Sequence, residues 1–68
     1  MTHRYALRME DADGTVDEPY LYASTKREAF RLARIAARHL VFAVAVWVDD
    51  TKTDLGVKRF PKLATKGD

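Results

Sequence analysis

The eight residues from Val41 to Val48, Val-Phe-Ala-Val-Ala-Val-Trp-Val, contain no polar side chain, and this run limits the fold more than any other stretch. β-Branched and aromatic residues without a polar interruption read as a strand covered on both faces, which belongs inside a sheet rather than at its edge. Even counted with Leu40, the run is far too short to cross a bilayer as a helix. A chain with such a strand must supply neighbours on either side of it. Its 68 residues leave room for one domain to do so.

The neighbours are legible. Arg4 to Glu10 alternates, with Tyr5, Leu7 and Met9 on one side and Arg4, Ala6, Arg8 and Glu10 on the other. That period of two marks a half-buried strand. Asp13-Gly14 is a turn signal, because glycine accepts positive φ, and Pro19 to Ala23 reads as a second strand joined to the first by an acidic loop from Asp11 to Glu18. Asp49 to Asp54 is a polar turn, and Leu55 to Phe60 is a last strand in which Gly56 suggests a bulge. Pro61 is expected to end the pairing and 62–68 to form a short mobile tail, so that the domain covers 1–61.

Between the strand pairs lies a helix, expected over Thr25 to Leu40. Thr25 and Glu28 have the spacing of a capping box, in which each side chain satisfies a backbone N–H. Ala29, Leu32, Ala33, Ala36, Ala37 and Leu40 recur at helical spacing, with small alanines that let a helix sit close to a sheet. The expected architecture is α+β: ββαββ, a four-stranded antiparallel sheet in the order 2-1-3-4, one helix on one face. That order puts the apolar third strand inside, and the crossover through the helix is right-handed by the general rule.

Composition narrows the function classes. The chain has no cysteine, which excludes disulfides and thiolate metal sites and fits a reducing compartment. Apolar (47%) and charged (32%) shares are those of a folded domain rather than a disordered one. Met1 to Tyr5 carries no apolar signal core, so the cytoplasm is the expected location. His3 and His39 have no partner at ligand spacing, Ser24 is a capping hydroxyl, and no glycine-rich phosphate loop is present. No enzyme, cofactor or small-molecule substrate is expected.

Two surfaces stand out instead. Arg27, Arg31, Arg34 and Arg38 follow at spacings of four, three and four, a ridge opposite the alanine face; residues 25–40 carry a local charge of +4. Such a ridge suits phosphates or an acidic protein surface, since arginine binds both through paired donors. It is also what a solvated face in an Arg- and Ala-rich chain would look like. The second surface is the sheet face away from the helix. If Val44, Val46 and Val48 point inward, then Arg4, Arg8, Ala43, Ala45 and Trp47 point outward, joined by Lys58, Phe60, Tyr20 and Tyr22. An aromatic and basic sheet can stack bases, cover a second copy of the chain as a homodimer, or simply shield Trp47 under arginine stems. Glu10, Asp11, Asp13, Asp17 and Glu18 crowd the first hairpin loop, where they weaken a DNA-binding reading and lack the full pattern of a calcium loop.

The segments Ser24-Thr25-Lys26-Arg27-Glu28-Ala29 and Val44-Ala45-Val46-Trp47-Val48-Asp49-Asp50 resemble a pattern in small ββαββ proteins of actinobacteria and their phages. The resemblance implies the fold and no site residues. It also implies binding of a host protein or nucleic acid, in the host cytoplasm for a phage-encoded chain. The expected function is a small binding module for a partner protein, with nucleic-acid binding as the alternative.

Overall fold

The computed structural model describes residues 3–63. In chain order it contains β1 (Tyr5–Asp11), β2 (Leu21–Ala23), α1 (Lys26–Ala37), β3 (Ala43–Asp50) and β4 (Leu55–Pro61). The strands form one antiparallel sheet, β2-β1-β3-β4, with α1 packed on one face. Fold class and strand order are those the sequence predicts.

Register decides which side chains meet the helix. Leu7 pairs with Val48 and Met9 with Val46, while Val46 pairs on its other side with Phe60. Paired residues share a face of the pleat, so these side chains form one floor beneath α1. Ala29, Ala33 and Ala37, four apart, are buried against it. Their methyl groups let the helix approach closely, and the larger apolar groups come from the sheet: Leu7, Val46 and Val48 are completely buried. Phe30 reaches down from the helix to meet Phe60 edge-on, with ring centroids 5.2 Å apart.

The helix start follows the capping prediction with one change. Thr25 Oγ1 accepts from the Glu28 N–H at 3.1 Å, but Glu28 reaches past Thr25 and accepts from the Ser24 N–H at 3.4 Å. The helix ends at Ala37 rather than Leu40. Arg38 and His39 donate to the carbonyls of Ile35 and Ala36, three residues back, which tightens the last turn and stops it. Leu40 nonetheless stays in the core.

Four other expectations shift. The third strand starts at Ala43 and runs to Asp50, leaving Val41 and Phe42 in the preceding loop, 73% and 88% exposed. Ala43, expected outward, joins the core, and Val44, expected inward, is only half-buried. The cause is a register shift opposite Glu10 and Asp11, which moves the pairing from Ala45 to Ala43 and skips Val44. Pro61 belongs to β4, and Lys62 and Leu63 are tied down: their N–H groups donate to Val44 and Ala37 carbonyls at 2.8 and 3.1 Å. The rest of the expected tail, 64–68, lies outside the described residues. The second strand shortens to Leu21–Ala23, although the Tyr20 N–H still donates to Leu7.

The close alanine seam yields a stability prediction. Ala33 has no exposed surface, so Ala33→Leu is expected to lower the unfolding free energy by about 1–3 kcal/mol through overpacking. Ala33→Pro is expected to abolish the cooperative transition. Urea titration followed by circular dichroism checks both; an unshifted midpoint for either would mean that α1 does not sit here.

Candidate functional site

On the sheet face turned away from α1, Arg8, Trp47 and Arg59 lie side by side across β1, β3 and β4. Next to them Glu10 of β1 pairs with Ala45 of β3. Because Ala45 offers only a methyl group, the Glu10 carboxylate reaches across the central strand. Its Oε1 accepts from Trp47 Nε1 at 2.8 Å and from Arg59 Nε at 2.9 Å, and its Oε2 accepts from Arg59 Nη2 at 3.1 Å. This bridge lies over Ala45, which has no exposed surface. The indole itself rests beside Gly56, where an added Cβ would come within 3.2 Å of Trp47 Cζ3. Glycine is needed there for room.

Two further cations of β1 and its approach are also matched. Arg8 pairs with Asp49. Arg4 forks onto Asp50 at 3.1–3.3 Å, and the Arg4 carbonyl accepts both the N–H and the hydroxyl of Thr51 at 2.7 Å. A groove of about 390 Å³ runs past Ala6, Arg8, Pro19, Asp49, Thr51 and Asp54, and its one cation is the paired Arg8.

This arrangement corrects the sequence reading of the face. Arg8 and Trp47 do lie on this face and Arg4 is exposed just before β1, but all three are members of charge and hydrogen-bond pairs rather than a free basic and aromatic surface. Lys58 and Phe60 are on the opposite side. Phe60, paired with Val46, is the largest apolar side chain of β4 and packs beneath α1. Lys58 pairs with Val48 and so shares that side, where its Nζ lies over the Phe30 and Phe60 rings at 5.7 and 5.2 Å. A register shift near Val48 and Asp49, opposite Gly56, sets this parity. Tyr22, paired with Ala6, keeps its outward place at the β2 edge and meets the His3 ring at 6.4 Å.

The helix ridge is different. Arg27, Arg31, Arg34 and Arg38 are all exposed, with Arg38 at the C-cap, and none makes an ion pair among the described residues. The acids left over from the sheet pairs crowd the first hairpin loop. There Asp17, and secondarily burial and Asp13, push the Asp11 carboxyl above its ordinary range. Asp13 is held below that range by the Thr15 N–H it accepts at 2.9 Å. Gly14, at φ +91°, closes the turn. Among the described residues no group of three His, Cys, Asp or Glu could hold a metal ion, and no helix is long and apolar enough to cross a membrane.

No family model, curated protein or solved structure matches the chain. The residues that the sequence reading missed are Glu10, Asp49 and Asp50, treated as turn or strand-end polarity, and Arg59, which it assigned no role. The available signal was opposite charge on strands expected to be neighbours.

The network carries a pH signature. Hydrogen bonds from Arg59 and then Trp47 lower the Glu10 carboxyl, and those from Arg4 lower Asp50. Each therefore contributes stability that is complete above the ordinary carboxylate range and lost as pH falls through the lowered folded value. Asp11 has the opposite sign: its charged form opposes folding at neutral pH, and protonation through its raised value relieves that. Glu10→Gln is expected to flatten the acid limb of stability against pH and to shift Trp47 emission to the red. Asp11→Asn is expected to stabilise at neutral pH and to lose its effect in acid. Thermal unfolding across the pH range checks both; an acid limb unchanged in Glu10→Gln would remove Glu10 from the account.

Proposed function

We propose that this protein is a small non-catalytic binding module that engages an acidic surface of a partner protein through the arginine ridge of α1. The supporting observation is the segregation of charge. Arg4, Arg8 and Arg59 each have a carboxylate partner, whereas the four ridge arginines have none among the described residues. Like charges at helical spacing repel, which a stability role alone does not explain. An acidic partner would relieve the repulsion and meet each guanidinium with paired acceptors.

A protein partner is favoured over nucleic acid by the placement of the aromatic rings: the exposed ones, Tyr20, Tyr22 and Phe42, lie at the β2 edge and in the loop after α1, not on the helix that carries the ridge. Single-strand binding uses exposed rings on which bases stack. Here Phe60 is buried, Phe30 is half-buried with Lys58 over its ring, and the Trp47 N–H is held by Glu10. The exposed Ile35, Val41 and Phe42 on and after α1 suit the apolar part of a protein interface. The pattern shared with small proteins of actinobacteria and their phages implies binding of a host protein or nucleic acid alike, and we place the proposed role in the cytoplasm.

Affinity capture with the intact protein, with and without nuclease, tests this reading beside an Arg31→Glu, Arg34→Glu double variant. Both side chains are exposed, so the variant is expected to stay within about 0.5 kcal/mol of wild-type stability per substitution. Retained material is expected to resist nuclease, to fall with rising salt and to disappear in the double variant. Capture that nuclease abolishes would move the function to nucleic acid. Capture unchanged by charge reversal would leave the ridge as a solvated face.

A further inference from the structure

Where α1 ends beside β4, a groove of about 270 Å³ is lined by Arg34, Ala37, Lys58, Phe60, Pro61 and Leu63, with Arg59 at its rim. Its floor is apolar and its rim cationic. Arg59 is committed to Glu10 across the sheet, but Arg34 and Lys58 make no ion pair among the described residues. Lys58 instead lies over the Phe30 and Phe60 rings, and it stays exposed where it lines the groove. The volume falls below the roughly 300–1,000 Å³ of pockets that enclose a small-molecule ligand, and it suits one or two side chains. The Lys62 and Leu63 bonds to Val44 and Ala37 run beside the loop that exposes Val41 and Phe42, so further apolar surface lies near the same end of the helix.

From this we infer that the groove seats one apolar side chain of an acidic partner segment, whose flanking carboxylates meet Arg34 and Lys58. The inference rests on the ridge reading above and adds the chemistry of the partner: an apolar anchor within a run of Asp and Glu. Charge complementarity selects that occupant, because a neutral apolar segment would leave two cations desolvated without partners. A strand added to the sheet is the less suitable occupant. Lys62 donates inward to Val44, so by alternation residue 61 faces the free edge, and Pro61 has no N–H to offer there.

Selection from a randomised twelve-residue peptide library on the intact protein at low salt tests the inference. Selected peptides are expected to share a large apolar residue within an acidic stretch. Replacing that residue by serine in a synthetic copy should weaken binding about tenfold or more, the scale of burying one such side chain. Backbone amide shifts on binding should concentrate at 34–37 and 58–63, and Lys58→Glu and Leu63→Ser should each weaken binding. Acidic peptides that tolerate the serine replacement would overturn the groove and leave the ridge standing. Failure to enrich any acidic sequence would overturn both. Light scattering that shows wild type self-associating at low salt, and Lys58→Glu not, would give the groove to the acidic hairpin loop of a second copy and overturn the partner assigned here.

Discussion

A four-stranded sheet has two faces, and one twelve-residue helix covers one of them. With a central strand as apolar as Val41 to Val48 suggests, the uncovered face is the main constraint on the molecule. Glu10 meets it. Ala45 is small enough for the carboxylate to reach from β1 to Arg59 on β4, and the same oxygen holds the Trp47 N–H. The carboxylate, the guanidinium and the indole together do what a second layer would otherwise do. Ala6 and Ala45 are buried on a side with no helix, and Gly56 leaves room for the indole.

That solution sets the charge distribution of the rest. The chain has twelve Lys and Arg against ten Asp and Glu. Glu10, Asp49 and Asp50 are taken by Arg59, Arg8 and Arg4. Most remaining acids sit in the first hairpin loop, where Asp17 and, less strongly, Asp13 raise the Asp11 carboxyl. The helix is left with Glu28, used at its N-terminus, against four arginines. A net charge of +2 thus conceals a neutralised sheet face, an acidic loop and a basic helix.

The period-two pattern of Tyr5, Leu7 and Met9 and the Thr25–Glu28 cap were legible because each depends on neighbours a few residues away. The strand order was legible because β3 is too apolar to sit at an edge. What escaped was the first of the two places where one strand gains a residue on its partner; the second, beside Gly56, was expected from that glycine, but its effect on which side chains face the helix was not. The shift at Glu10 and Asp11 exchanges the expected places of Ala43 and Val44, and the shift at Val48 and Asp49 accompanies Lys58 and Phe60 on the helix side. Bulges depend on pairing between distant segments and leave little mark on local periodicity. The ends of β3 were misjudged for a related reason: Asp49 and Asp50 look like turn residues until β1 brings Arg8 and Arg4 within ion-pair distance of them.

The small residues of α1 connect the packing to the candidate site. Alanine at 29, 33 and 37 lets the helix approach the sheet, and the core then depends on Leu7, Val46, Val48 and Phe60 for most of its apolar volume. Near the start of the helix the space around the alanine seam is taken by Phe30, edge-on to Phe60. At its end Ala37 has no such neighbour on the helix: what surrounds it is Phe60, Pro61 and Leu63 from the other chain segment, and the gap between them is the groove. Leucine in place of Ala37 would project into that gap. A residue chosen for close packing at one end of the helix thus leaves an unfilled apolar recess at the other, beside the two cations that the sheet network does not use.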